Sequence, residues 1–297
     1  MNNPADSNEI TRAAFDRILI KTRYIDSGLP DTSFRLWGRT FSTPIATAAL
    51  SHLNGLHDKG TRELALGAKE ANALNFMGME SYDGELADVV SAGAATVRFI
   101  KPHAKDEDVL KRIEAAKALD IFALGMDIDH AYNGCGGYDV VEGLPMKPKS
   151  AAQLRSYIEA ADGIPFVIKG VLSAADAKKC LEIGAAGIVV SHHHGIMPYS
   201  VPPILALPEI LSVIDGKIPV FLDCGIASGA DVYKALALGA DAVCVGRDLM
   251  PPLKENGAAG VAERIRQLNG ELASIMARTG FRSLEELDSS CLIANIS

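Results

Sequence analysis

The sequence predicts an α/β fold, a (β/α)8 TIM barrel, and three observations predict it. Eight short apolar or small-residue runs recur along the 297 residues, and helical patterns separate most of them. The runs are continuous in Val, Ile and Ala rather than alternating, as expected of parallel strands covered on both faces. Gly-Ala steps such as Gly184-Ala185 and Gly239-Ala240 stand just before several runs, where a helix ending on glycine hands the chain to the next strand.

In chain order the expected strands are residues 44–48, 74–78, 96–100, 121–127, 165–169, 187–191, 219–223 and 242–245. The expected helices are 58–70, 106–118, 151–160, 173–181, 203–213 and 229–238, each with apolar residues at helical spacing. The longest connection runs from Asp127 to about Lys149. Its Asn133-Gly134-Cys135-Gly136-Gly137-Tyr138 and Pro145 predict an irregular, mobile loop on the face where barrels carry lids. Residues 1–40 read as an N-terminal extension with one helix around 12–18, and 257–278 as a final amphipathic helix. The expectation is a single domain over 1–297, with 41–297 forming the barrel and terminal helices.

Composition narrows the function. A net charge of −8 argues against nucleic acid or anionic membrane as partners, because both need clustered Lys and Arg. The five cysteines, Cys135, Cys180, Cys224, Cys244 and Cys291, are odd in number and lack a CxxC pair, which predicts reduced thiols in a cytoplasmic protein. The segment Met1 to Glu9 is polar and acidic, and no run nears eighteen apolar residues, so neither export nor membrane insertion is expected. Small molecules are the expected partners.

The chemistry concentrates at two strand ends. Val167-Ile168-Lys169-Gly170 ends one strand on a lysine, and Ile188 to Val190 lead into Ser191-His192-His193-His194-Gly195. Polar residues at the C-terminal ends of barrel strands are where such folds build active sites. Three consecutive histidines suggest a metal, but adjacent residues of an extended segment point in opposite directions, so no metal site is expected.

These residues carry a resemblance. The chain resembles the FMN-dependent α-hydroxy acid oxidases and dehydrogenases, the family of glycolate oxidase and lactate oxidase. The likeness begins at Ala13-Ala14-Phe15-Asp16-Arg17-Ile18 and runs almost the whole length. It is strongest at 189–195, Leu207-Pro208-Glu209-Ile210, 221–229, 233–240 and Val245-Gly246-Arg247. It implies FMN as cofactor and oxidation of the CH–OH group of a 2-hydroxy acid, or a larger related secondary alcohol, by hydride transfer to the flavin. His193 matches the family's catalytic base, a task that suits histidine because it titrates near operating pH. Lys169 matches the lysine beside the flavin edge where charge accumulates on reduction. Gly246 and Arg247, with Asp223 and Gly225, match the phosphate and ribityl site. Ala48, Ala49 and Ser51 match the segment against the ring, and Arg98, Asp127 and Ser191 complete the implied cofactor residues. Oxygen or a separate acceptor is the implied electron sink, and a homo-oligomer, a tetramer by resemblance, the implied assembly.

The departures lie where substrate binds. The arginine that clamps the substrate carboxylate in the family is replaced by Ile196, the tyrosine after strand three by Ile100, and the flavin-touching glutamine by Arg98. His130, Arg98 and His192 are the first candidates for a relocated cation, ahead of Lys101, His103 and His194, with Tyr132 and Tyr199 as phenolic donors. Ala227 replaces a phosphate-holding arginine, which predicts weaker flavin binding. The substrate-site losses leave two other readings, an isomerase-like or reductive FMN enzyme and a degenerate ligand-binding barrel. The retained Lys169, His193 and Arg247 weigh against the last.

Overall fold

The computed structural model describes residues 5–294; Met1 to Pro4 and the last three residues lie outside it, as does that part of the N-terminal reading. Eight parallel strands form one sheet: β1 (Ile45–Thr47), β2 (Asn75–Met77), β3 (Thr96–Ile100), β4 (Ala123–Asp127), β5 (Phe166–Val171), β6 (Gly187–Val190), β7 (Val220–Leu222) and β8 (Ala242–Val245). The order around it is β1-β8-β7-β6-β5-β4-β3-β2. A parallel bridge between Leu50 and Met77 and the Thr47 N–H bond to the Leu74 carbonyl, 3.1 Å, bring the two ends together. Each strand falls within a run expected from the sequence, except that β5 extends two residues further.

The interior is filled by Phe76, Phe99, Phe221, Val97, Val167 and Val189, with Phe76 centred 5.1 Å from Phe99 and 5.2 Å from Phe221. Gly125 makes room for this packing, since a Cβ there would lie 2.6 Å from the Phe99 ring. A second apolar layer fills the space between strands and helices. Phe34, Leu36 and Phe41 of an antiparallel hairpin, Phe34–Leu36 with Arg39–Phe41, join the interior cluster and cover one end of the barrel. The N-terminal extension therefore holds a hairpin as well as its one helix. It also contributes a strand, Ile18–Ile20, paired with Leu292–Ala294 near the other end of the chain.

The helix of the extension is α1 (Ser7–Asp16), which starts earlier than expected because Asp6 caps it by accepting from the Asn8 N–H at 2.8 Å. The crossover helices follow: α2 (Gly60–Glu70), α3 (Glu85–Ser91), α4 (Asp106–Lys117), α5 (Ala151–Ala160), α6 (Ala174–Ile183), α7 (Pro203–Ile214) and α8 (Gly229–Ala237). Only α3 has no counterpart in the periodicity, because seven residues are under two turns. Ser150, Ser173 and Ser228 cap α5, α6 and α8 through their side chains. The last helix, α9 (Met250–Thr279), is interrupted at Gly257, whose backbone is non-helical, so its long regular part matches the expected 257–278.

The long loop after β4 is not wholly irregular. It carries a short hairpin, Val140–Val141 with Leu144–Pro145, and a His103–Met146 bridge ties it to the end of β3. Among the described residues no helix is long and apolar enough to cross a membrane.

Candidate active site

A cleft of about 1130 Å3 opens at the C-terminal ends of the strands. Parallel register puts Lys169 of β5 beside Asp127 of β4, both near the C-terminal ends of their strands. Lys169 Nζ lies 3.1 Å from Asp127 Oδ1 and 4.0 Å from Asp223 Oδ2. Asp127 Oδ2 accepts from Lys101 Nζ at 2.8 Å, so this buried carboxylate is shared by two ammonium groups. Burial opposes its charge, yet Lys169, Lys101 and His193 hold the Asp127 carboxyl well below the usual carboxylate range. Burial likewise opposes the Lys169 ammonium, but Asp127, Asp129 and Asp223 outweigh it and raise its pKa, so the cation is permanent at neutral pH.

His193 stands next to this pair. Its Nδ1 is 2.9 Å from Asp129 Oδ1, 3.3 Å from Lys169 Nζ and 3.9 Å from Asp127 Oδ1. An ionised carboxylate can only accept, so the Nδ1 proton goes to Asp129 and the basic lone pair belongs to Nε2. Asp129 reaches His193 because Gly170 adopts φ +93° at a register shift in β5; a Cβ there would sit 2.4 Å from the Asp129 Cγ. Asp129 is the functional residue the sequence reading passed over. Its signal was the glycine directly after the strand-end lysine, whose reason appears only when β4 and β5 are side by side. The carboxylates of Asp127 and Asp129 with His193 approach a metal-ligand set, but the Lys169 ammonium already stands against Asp127 and His193.

The histidine loop is folded differently from the extended segment the sequence suggested. His193 and His194 take φ of 48° and 58°, in the left-handed region. Ser191 holds the bend, accepting from the His193 N–H at 3.1 Å and donating to Asp223 Oδ2 at 2.9 Å. The three rings still diverge. His192 is buried behind the loop, where Nδ1 accepts from the Gly195 N–H at 2.9 Å and Nε2 donates to Thr11 Oγ1 at 2.8 Å. Thr11 in turn donates its hydroxyl to the Ser7 carbonyl at 2.7 Å. That chain needs a neutral imidazole, and burial lowers the His192 pKa accordingly. His194 lines the cleft with Nδ1 3.0 Å from Asn8 Oδ1, which also accepts from Arg247 Nη2 at 3.0 Å.

Of the residues singled out from the sequence, Ala48, Ala49, Ser51, His130, Lys169, His193, Asp223, Gly225, Gly246 and Arg247 line the cleft. Asp127 and Ser191 are buried directly behind it, bonded to residues that do. Arg98, His192 and Tyr132 are not brought into it. Arg98 turns to the Gly78 and Phe99 carbonyls and pairs with Glu80 at 3.5 Å, because a buried guanidinium needs several acceptors. Tyr132 is 55% exposed and stacks near Tyr138 at the outside of the lid. Ile196 is 42% exposed and also outside the cleft. His130 packs edge-on against His193 with ring centroids 4.9 Å apart. Burial, then Lys101 and His193, lower its pKa, so it is a neutral ring rather than a cation.

His103, expected as an alternative cation, is buried beneath the lid with Nδ1 unpartnered, and burial pushes its pKa down to about 4. The unfolded chain takes up that proton near 6.5, so its contribution to stability is complete above about pH 6.5 and shrinks as pH falls towards 4. Thermal melting is expected to show Tm dropping across this window, with a shallower drop in His103→Gln. An unchanged slope in that variant would contradict the assignment.

The residues present fit a flavin mononucleotide. Ala48, Ala49, Gly225 and Gly246 give a wall of small residues, and a Cβ at Gly246 would crowd Ala48 at 3.2 Å. Lys169 supplies a buried fixed cation, and Arg247 follows Gly246 after β8, where barrels of this kind bind phosphate.

A family model described as FMN-dependent dehydrogenase matches residues 5–162 and 151–294. Glycolate oxidase 3 of Arabidopsis thaliana is 32% identical over 313 residues, covering 93% of this chain and 84% of that protein. Glycolate oxidase of Spinacia oleracea is 30% identical over 321 residues, covering 96% and 86%. Among solved structures, mandelate oxidase with 3,3-difluoro-2-hydroxy-3-phenylpropionic acid superposes with a TM-score of 0.88 at 26% identity, covering 99% of this chain and 92% of that one. A mandelate oxidase mutant with a monooxide FMN adduct gives 0.87 at 26% identity, covering 98% and 92%.

Proposed function

The chain belongs to the FMN-dependent dehydrogenase family, and from that premise we propose that His193 is the base and Lys169 the cofactor-facing cation of a hydroxy acid oxidation carried out at the mouth of the barrel. The protein is an FMN-dependent oxidoreductase of hydroxy acids. FMN, when bound, accepts two electrons and the carbinol hydrogen as hydride. The chain's own residues do the rest. His193 Nε2 takes the substrate hydroxyl proton, and Asp129 stabilises the imidazolium that results, since its carboxylate already holds Nδ1–H. The Lys169 ammonium, fixed by Asp127 and Asp223, would supply a positive charge to offset the negative charge of a bound, reduced flavin. Arg247 and the backbone at Gly246 would hold the phosphate, with Asn8 of α1 bridging Arg247 to His194 and so to the catalytic loop. Leu50, Met79 and Val141 offer apolar surface for the rest of the substrate.

The observation that carries this reading is the half-buried His193–Asp129 bond beside the Lys169–Asp127 pair, with His193 and Lys169 both lining the cleft. The second substrate is oxygen or a separate electron acceptor. We read the chain as one catalytic domain, a reading supported by family matches that together run from 5 to 294. The unpaired thiols support a reducing compartment such as the cytoplasm. Exposed Ile196, Met197, Tyr199, Val201 and Leu205 support association with further copies. The test is an anaerobic titration of the FMN-loaded protein with 2-hydroxy acids, in which bleaching of the flavin bands near about 370 and 450 nm is expected. A flavin that no hydroxy acid bleaches would refute the reaction.

A further inference from the structure

We propose that Lys101 is the specificity-determining residue of this site, the cation that receives the substrate carboxylate. The inference rests on the hydroxy acid reading above. A 2-hydroxy acid places its carboxylate one carbon–carbon bond from the hydroxyl carbon, so its anchor must lie close to His193 and inside the cleft. Among the described residues, the basic side chains lining the cleft divide into two groups. Arg12, His194 and Arg247 stand at the end covered by α1. Arg12 is committed to the Gly225 carbonyl and Asp231, and Arg247 and His194 share Asn8.

The other group surrounds His193. Lys169 is held between Asp127 and Asp223 and serves the cofactor, and His130 packs against His193 with its Nδ1 3.0 Å from Asp139 Oδ2. His52 remains, but its backbone caps the short turn Leu53–Gly55 on the β1 side of the cleft, away from the β4 and β5 ends that carry the Asp127 pair. Lys101 is the cation left beside that pair. It leaves the end of β3, its side chain is 8% exposed, and its Nζ is 2.8 Å from Asp127 Oδ2. Asp127 Oδ1 in turn is 3.9 Å from His193 Nδ1, which puts Lys101 one carboxylate away from the base.

An ammonium has three protons, and Asp127 accepts one of them. A carboxylate in the cleft can take another without displacing Asp127, whose remaining oxygen stays with Lys169. The loop after β4 is tied down beside this point. The chain after Lys101 is bonded to it through the Ala104 N–H to the Pro145 carbonyl, 2.8 Å, and the Lys147 N–H to the Pro102 carbonyl, 2.9 Å. Substrate charge, read from β3, thus takes over the duty that Ile196, exposed outside the cleft, does not perform.

The test compares mandelate with mandelamide, which share a skeleton and differ in charge at the anchor. Dissociation constants are read from the perturbed flavin spectrum of the holoenzyme, and bleaching is followed separately in the same anaerobic titration. The wild-type protein is expected to prefer the acid by about ten- to a hundredfold, one charge-assisted contact partly shared with Asp127. Lys101→Gln is expected to abolish that preference while mandelamide affinity stays within about threefold. Ile196→Ala is expected to leave both constants unchanged. A wild-type protein without acid preference, or a Lys101→Gln protein that keeps it or weakens acid and amide equally, overturns the proposal. Should Lys101→Gln not retain FMN, the same ratio is read in Lys101→Met. Acid preference without bleaching would sink the oxidation reading and leave the anchor standing; bleaching without preference would do the reverse.

Discussion

His193→Gln is expected to lower the limiting rate of flavin reduction by a hydroxy acid by about 10²- to 10⁴-fold, the usual worth of a positioned general base. Glutamine fills similar space and can still hydrogen-bond Asp129, so the loop that Ser191 and His192 hold need not move. What it lacks is a basic Nε2. The Lys169–Asp127–Lys101 arrangement does not depend on the imidazole, because both ion pairs close without it. FMN affinity, measured by quenching of flavin fluorescence, should therefore stay within a few-fold of wild type. Rapid stopped-flow reduction of the flavin in this variant would remove His193 from the base position.

Asp129→Asn is the second large effect. The carboxylate fixes the Nδ1–H tautomer and offsets the positive charge the ring acquires on taking the proton. An amide is neutral and can donate, so it neither enforces the tautomer nor balances the charge. We expect kcat to fall by roughly 10²-fold or more with KM for the hydroxy acid changing little, since the lost interaction strengthens only as the proton moves. A rise in KM at constant kcat would instead assign Asp129 to substrate binding.

Much of the site was legible as residue types at strand ends. Lys169 and His193 stood out because each ends an apolar run, and Gly246-Arg247 because it follows the last one. Asp129 did not, because it lies two residues past its strand in a loop rich in polar residues, and nothing local distinguishes it from Asp139. Arg98 misled for the opposite reason. It sits within a strand, where alternation alone does not say whether a long side chain reaches the mouth or folds back to nearby carbonyls, and here the Gly78 and Phe99 carbonyls claim it. Lys101, ranked low from the sequence, gained its place from the neighbour it meets across the sheet.

The sequence by itself determined the barrel, since continuous apolar runs separated by helical stretches that end on Gly-Ala steps admit few other parallel architectures. It also determined the chemical inventory of the mouth. Tertiary structure alone decided which members of that inventory meet. Register between β4 and β5 sets Lys169 against Asp127, the left-handed turn at Gly170 admits Asp129 to His193, and burial converts His130 and His192 from candidate cations into neutral rings. Charge state and pairing are properties of surroundings contributed by distant segments, and a local pattern in one chain segment carries no information about what will be packed against it.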